Sequence, residues 1–194
     1  MQIDDSWQAF SERLACQWPL HVAVVPCQPS ADALARLNER NLQVLRALAS
    51  LDERRLESGD EESPWWHDIQ RVESKLDLLL DLVDRLVMPE GSLPPRQALS
   101  FNAVGAVLPS GLWAGQAQAL LRLHFDRCRA MPLELLARMG RQLDAQTVFV
   151  RFDGLSEMVE EGLERLVFCH HRREVAEARA SGVGENVSGI KSRM

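Results

Sequence analysis

From Trp65 to Leu86 the apolar residues of this chain fall at alternating steps of four and three: Trp65, Ile69, Val72, Leu76, Leu79, Val83 and Leu86. That spacing is the a/d seam of a heptad repeat, held for about three heptads, and it constrains the fold more than any other feature. It predicts one long helix. Ser63-Pro64 supplies an N-cap followed by proline at the first helical position, and Pro89-Glu90-Gly91 stops the helix after Met88. Leu80, Leu82 and Val87 flank the seam. A stripe that broad exceeds the needs of a two-stranded coiled coil and suits a bundle of higher order.

A first helix precedes it. Ser30 is its N-cap, Asp32 sits in the first turn where the helix dipole favours an acid, and the helix runs to about Leu56. Ser58-Gly59-Asp60-Glu61-Glu62 then makes a solvated turn. Leu34, Leu37, Asn41, Val44, Leu48 and Leu51 form a weaker seam, with Asn41 at an a position where a buried amide fixes register. Each helix spans roughly 35–40 Å. Self-assembly is therefore expected through Leu37, Asn41, Val44 and Leu48 of the first helix and Ile69, Val72, Leu76, Leu79, Val83 and Leu86 of the second. The alternative is a helical hairpin that covers a sheet.

Outside these helices the period drops to two. Leu121, Leu123 and Phe125 alternate with Arg122, His124 and Asp126, and Val148, Val150 and Phe152 alternate with Phe149, Arg151 and Asp153. The segments from Phe101 to Leu108 and from Leu133 to Met139 alternate less cleanly. With turns at Pro109-Ser110-Gly111 and Asp153-Gly154, they predict four strands of a small antiparallel sheet or barrel. Leu20–Val25, β-branched and set between Pro19 and Pro26, predicts one more strand ahead of the helices. Ser156 caps a third helix that carries Val159, Leu163, Leu166 and His170 on one side. The fold class is α+β.

Two best-matching pieces, Ser100-Phe101-Asn102-Ala103-Val104-Gly105-Ala106-Val107 and Val148–Ser156, within this order of elements resemble the PilZ family from about Leu99 to Arg173. The resemblance implies a small antiparallel β-barrel with a flanking C-terminal helix, over residues 1–28 and 92–180. Residues 29–90 are then an inserted helical oligomerisation segment, and 181–194 a disordered tail. It also implies a cytosolic, non-enzymatic role in signalling by the bacterial second messenger cyclic di-GMP. A heptad helix inserted after the first strand resembles the atypical PilZ proteins of xanthomonads, which assemble as tetramers.

The family's nucleotide motifs are only partly kept. In [D/N]-x-S-x-x-G, Ser100 stands at the acidic position, Asn102 replaces Ser, and Gly105 matches; in R-x-x-x-R, Arg13 is kept and Gln17 replaces the second arginine. The paired guanidinium forks supply fixed charge and planar donors to a doubly anionic ligand, each contact contributing roughly 1.5–3 kcal/mol. Their partial loss predicts cyclic di-GMP binding that is lost or weak, and function through self-assembly and an unidentified signalling protein. The alternative is a working receptor built from Arg13, Arg96, Asn102 and Gly105, with Arg151 or Arg122 replacing the missing arginine.

Charge and cysteines bound the remaining classes. Residues 1–90 carry nine Lys and Arg against 17 Asp and Glu, a net of −8, whereas residues 91–194 carry 13 against 11, a net of +2. An acidic chain does not bind nucleic acid through bulk charge. No run of 18 apolar residues occurs, so no membrane insertion is expected, and the N-terminus lacks the features of a signal peptide. Cys16, Cys27, Cys128 and Cys169 are dispersed without a C-x-x-C pair, as in reduced cytoplasmic proteins. His124-x-x-x-Cys128 with Cys169-His170-His171 has metal-binding residue types without a shared orientation, so no metal site and no catalytic centre is assigned.

Overall fold

Alternation along the strands closes into a barrel. The computed structural model describes residues 5–53 and 64–188. In chain order the elements are α1 (Asp5–Glu12), β1 (Cys16–Pro26), α2 (Ala31–Glu53), α3 (Pro64–Val87), β2 (Arg96–Phe101), β3 (Gly105–Pro109), α4 (Ser110–Trp113), β4 (Gln118–Phe125), β5 (Cys128–Gln142), β6 (Thr147–Phe152) and α5 (Glu157–Ser188). The six strands form a closed antiparallel barrel in the order β1-β2-β3-β6-β5-β4. β1 closes it by serving two neighbours in succession. Cys16 to His21 pair with β2, and His21 to Pro26 pair with β4.

Leu121, Leu123 and Phe125 point inward with Leu20, Val22, Phe101, Leu108, Leu133, Leu135, Val148 and Val150, all essentially excluded from water. Fully burying each such side chain contributes roughly 1.5–3 kcal/mol. Phe149 lies between two inward-facing valines and is buried on the outer surface instead, under α1. Trp7 and Phe10 of α1 meet it with ring centroids 5.2 and 5.1 Å away.

The segment from Phe101 to Leu108, read as one strand, is two. Asn102 breaks it: its Oδ1 accepts the Val104 N–H at 2.8 Å, and its own N–H reaches the Gly105 carbonyl at 3.1 Å, a side-chain-driven turn. β1 is also longer than Leu20–Val25 at both ends. The Pro109-Ser110-Gly111 turn is the start of α4, which buries Trp113. At Asp153-Gly154 the turn forms as predicted, with Gly154 at φ +67 and Leu34 of α2 lying over it. The tail was expected to be disordered from residue 181, yet α5 continues as helix to Ser188. The turn at 58–62 and residues 189–194 lie outside the described residues.

The helices between β1 and β2 attach where the barrel leaves a strand uncovered. β5 pairs with β4 from Cys128 to Arg138, but its pairing with β6 starts only at Ala137. The overhanging backbone needs other partners. Asn41 of α2 supplies them at Glu134, donating to its carbonyl at 2.6 Å and accepting from its N–H at 2.9 Å. The buried Glu134 carboxylate meets Arg122 Nε at 2.7 Å and Arg40 Nη2 at 3.2 Å. Further along the same strand, Asp84 of α3 accepts the N–H groups of Arg129 at 3.0 Å and Ala130 at 2.7 Å.

Those contacts correct the expected assembly seam. Leu37, Asn41, Val44 and Leu48 are all buried within the chain, where α2 packs between β5 and α5. Asn41 fixes register against a strand edge rather than across a helical bundle. So the helical hairpin alternative holds for α2, which covers the sheet, and fails for α3. Replacing Asn41 by Leu strands two buried backbone groups, at roughly 1–3 kcal/mol each. Asn41→Leu is therefore expected to lower the thermal midpoint by about 5–20 °C, and an unchanged melt by circular dichroism would show that this tie does not hold the helix.

Candidate functional site

The residues expected to gather around a nucleotide are placed apart. Arg96 opens β2 and Asn102 follows its end, so the strand's rise separates them by about 20 Å. Arg96 donates to the Pro19 carbonyl at 2.9 Å and forms an ion pair with Asp126 in the β4–β5 turn. Arg13 follows α1 and pairs with Glu164 of α5 at 2.9 Å, both side chains exposed. Asn102 is buried, and its amide donates to the Phe10 carbonyl of α1 at 3.0 Å. A Cβ at Gly105 would overlap the Val150 carbonyl and the Phe149 ring. Each of the four residues thus has a folding role.

The two replacement arginines differ. Arg122 is held by Glu134, whereas Arg151 is exposed on the outer face of β6. Arg151 stands directly opposite Gly105 on one side and Arg138 on the other. Arg138 pairs with Asp153 at 2.7 Å; Arg151 has no ion pair among the described residues.

The Cys169-His170-His171 cluster does not form a centre. His170 is buried against Trp18, ring centroids 3.8 Å apart, with its Nδ1 3.6 Å from Glu174. His124 Nδ1 contacts the Arg129 carbonyl at 2.8 Å. Among the described residues no three His, Cys, Asp or Glu side chains converge in metal-binding geometry. Burial pushes the Cys16 thiol up to about 12, and burial, aided by nearby Asp84, also raises Cys128. Both stay protonated and unreactive at neutral pH.

What the fold leaves open is α3. Ile69, Val72, Leu76, Leu79, Val83 and Leu86 are each about half exposed or more, and Leu78, Leu80, Leu82 and Val87 join them. Within the chain α3 touches chiefly β5, close to the Asp84 tie. The side chain of Trp65, the first seam residue, lies outside the described ones. An apolar face this continuous marks an interaction surface. Sequence spacing found that face; the Asp84 contact left no signal, because one aspartate among several on a charged helix looks like solvated charge.

Comparison with known sequences matches residues 45–180 to the model of the atypical PilZ domain, described as a cyclic di-GMP receptor. The chain belongs to the atypical PilZ domain family. Among solved structures this PilZ chain is similar to a pathogenic protein from Xanthomonas campestris, at 25% identity and a TM-score of 0.62. The match covers 86% of this chain and 93% of that one, a tetrameric PilZ domain self-assembled via an unusual helical bundle. No curated protein matches. Among the described residues no helix of this PilZ protein is long and apolar enough to cross a membrane.

The thiols give a direct check on the packing around this PilZ barrel. Native iodoacetamide labelling at pH 8 is expected to modify the half-buried Cys27 and Cys169 and to spare Cys16 and Cys128 until denaturant is added. Peptide mass spectrometry reads the outcome, and rapid labelling of native Cys16 would contradict its placement.

Proposed function

We propose that this atypical PilZ protein is a non-enzymatic, cytoplasmic regulator in bacterial signalling that assembles through α3 and acts by contact with another protein. The observation that carries this reading is the heptad face of α3, left uncovered by the chain that makes it. A helix of this length gains most of its stability from packing of its apolar face. Covering six seam side chains contributes on the order of several kcal/mol per chain. The self-assembled helical bundle of the Xanthomonas structure supports the same use of the helix, with a homotetramer as the expected form.

Cyclic di-GMP binding is lost or weak on this reading. Arg13, Arg96, Asn102 and Gly105 hold α5, the β4–β5 turn, α1 and β6 respectively, and a ligand would compete with those contacts. The second reading is a working receptor. Arg151 favours it: it stands opposite Arg138, which Asp153 already neutralises, and has no ion pair of its own among the described residues. The family's description as a cyclic di-GMP receptor points the same way.

Light scattering is expected to give about four times the 21.9 kDa chain mass. Leu76→Glu with Leu79→Glu should return it to a single chain while circular dichroism keeps the barrel signal. Survival of the assembly in that variant would misplace the seam. Calorimetric titration with cyclic di-GMP separates the two readings: binding weaker than micromolar is expected, and micromolar or tighter binding that is lost in Arg151→Ala would establish the receptor.

A further inference from the structure

Glu73, Asp77, Leu80 and Asp84 recur along α3 at helical spacing, as the seam residues do, but about 100° around the helix from them. This second face looks back at the barrel across a cleft of about 740 Å³. Ala47 and Ser50 of α2 form the opposite wall, and Ala130 and Met131 of β5 form the end. The cleft exists because Asp84 ties α3 to β5 near the helix's C-terminal end, while α2 turns away over the sheet.

The lining is amphipathic. Leu80 and Met131 are 59% and 50% exposed, so apolar surface is on offer on both sides. The rim is acidic: Glu73, Asp77 and Asp81 stand along α3, with Asp126 across from them, although Asp81 is paired with Arg85 at 2.9 Å and Asp126 with Arg96. Among the described residues Arg127 is the one basic side chain that lines it. Seam and cleft meet along one edge of α3, where Val83 of the seam also lines the cleft and Leu80 flanks the seam. Docking in the cleft therefore rests on an assembly that leaves this edge of α3 open, and peptide binding and assembly mass are read on the same sample.

We propose that this cleft docks a basic amphipathic helix from a partner protein. Such a helix would set its apolar stripe on Leu80 and Met131 and its flanking Lys and Arg residues against the acidic rim, as in other helix-in-groove complexes. Complementary charge speeds the encounter and excludes wrong partners. It also argues against a second copy of α3 as the occupant. That helix carries five Asp and Glu against three Lys and Arg, and would bring net negative charge to a carboxylate rim.

The test is fluorescence anisotropy on the full chain with a labelled synthetic helix of about 18 residues, its leucines at i, i+3, i+4, i+7 spacing and its flanks lysine. A scrambled peptide of the same composition serves as control. The amphipathic peptide is expected to bind with low micromolar affinity, and the scramble at least about tenfold more weakly. Glu73→Gln with Asp77→Asn should weaken binding about tenfold and flatten its salt dependence. Ser50→Trp, on exposed α2 surface away from the seam, should fill the cleft and block binding without changing the mass by light scattering. Equal binding of peptide and scramble, or wild-type binding by both variants, overturns the proposal. A change of assembly mass in Ser50→Trp also overturns it, by assigning the cleft to a second copy. The near-isosteric charge variants keep the test decisive should the tryptophan variant fail to fold.

Discussion

A strand that outruns its neighbour organises this molecule. β5 continues past the last residue of β6, and an unpaired strand edge must be satisfied or it recruits another chain. Here two polar side chains from the inserted helices do the work of a seventh strand. Asn41 pairs with both backbone groups of Glu134, and Asp84 takes two consecutive amides nearer the β4–β5 turn. The insertion is thus keyed to the barrel at two points along one edge. That keying decides which helix faces inward and which faces out: α2 is laid flat by Asn41 and the Arg40–Glu134–Arg122 group, while α3 is held near one end and projects.

The same economy of polar contacts explains the altered motif. In a PilZ barrel that offers its β2–β3 turn to a ligand, that turn's side chains must remain available. In this chain Asn102 uses its carbonyl to shape the turn and its amide to hold α1, and Gly105 is required because β6 approaches too closely for any side chain. The arginines are drawn to carboxylates at either end of the barrel. The acidic excess of the first 90 residues belongs mostly to the helices, and Arg96, Arg122 and Arg138 of the second half anchor strands and turns.

Periodicity made much of this legible. The inward positions of β4 and β6, the starts of α2 and α3 at Ser30 and Pro64, and the Asp153-Gly154 turn follow from local rules that the tertiary structure does not override. The failures have a common cause. A seam residue such as Leu37 or Leu48 has the same spacing whether it meets a partner chain or its own sheet, so sequence could not separate α2 from α3. Asn41 looked like a register-setting residue of a bundle, and the same chemistry served a strand edge. Arg96 and Asn102 are six residues apart in sequence, which suggests proximity until extension along a strand separates them. The continuation of α5 to Ser188 was missed because Gly182 and Gly184 are poor helix formers.

The aromatic contact of α1 has a thermodynamic consequence. Trp7 and Phe10 cover Phe149 beside the β2–β3 turn, so any molecule that recognises the Phe149 ring on the outer face of β6 recognises a conformation in which that short helix has lifted. Its apparent dissociation constant would be the intrinsic one divided by the fraction of chains open at a given moment. For such a ligand, affinity is a property of the N-terminal helix as much as of the surface beneath it. Substitutions at Trp7 would then change binding without touching a single contacting residue.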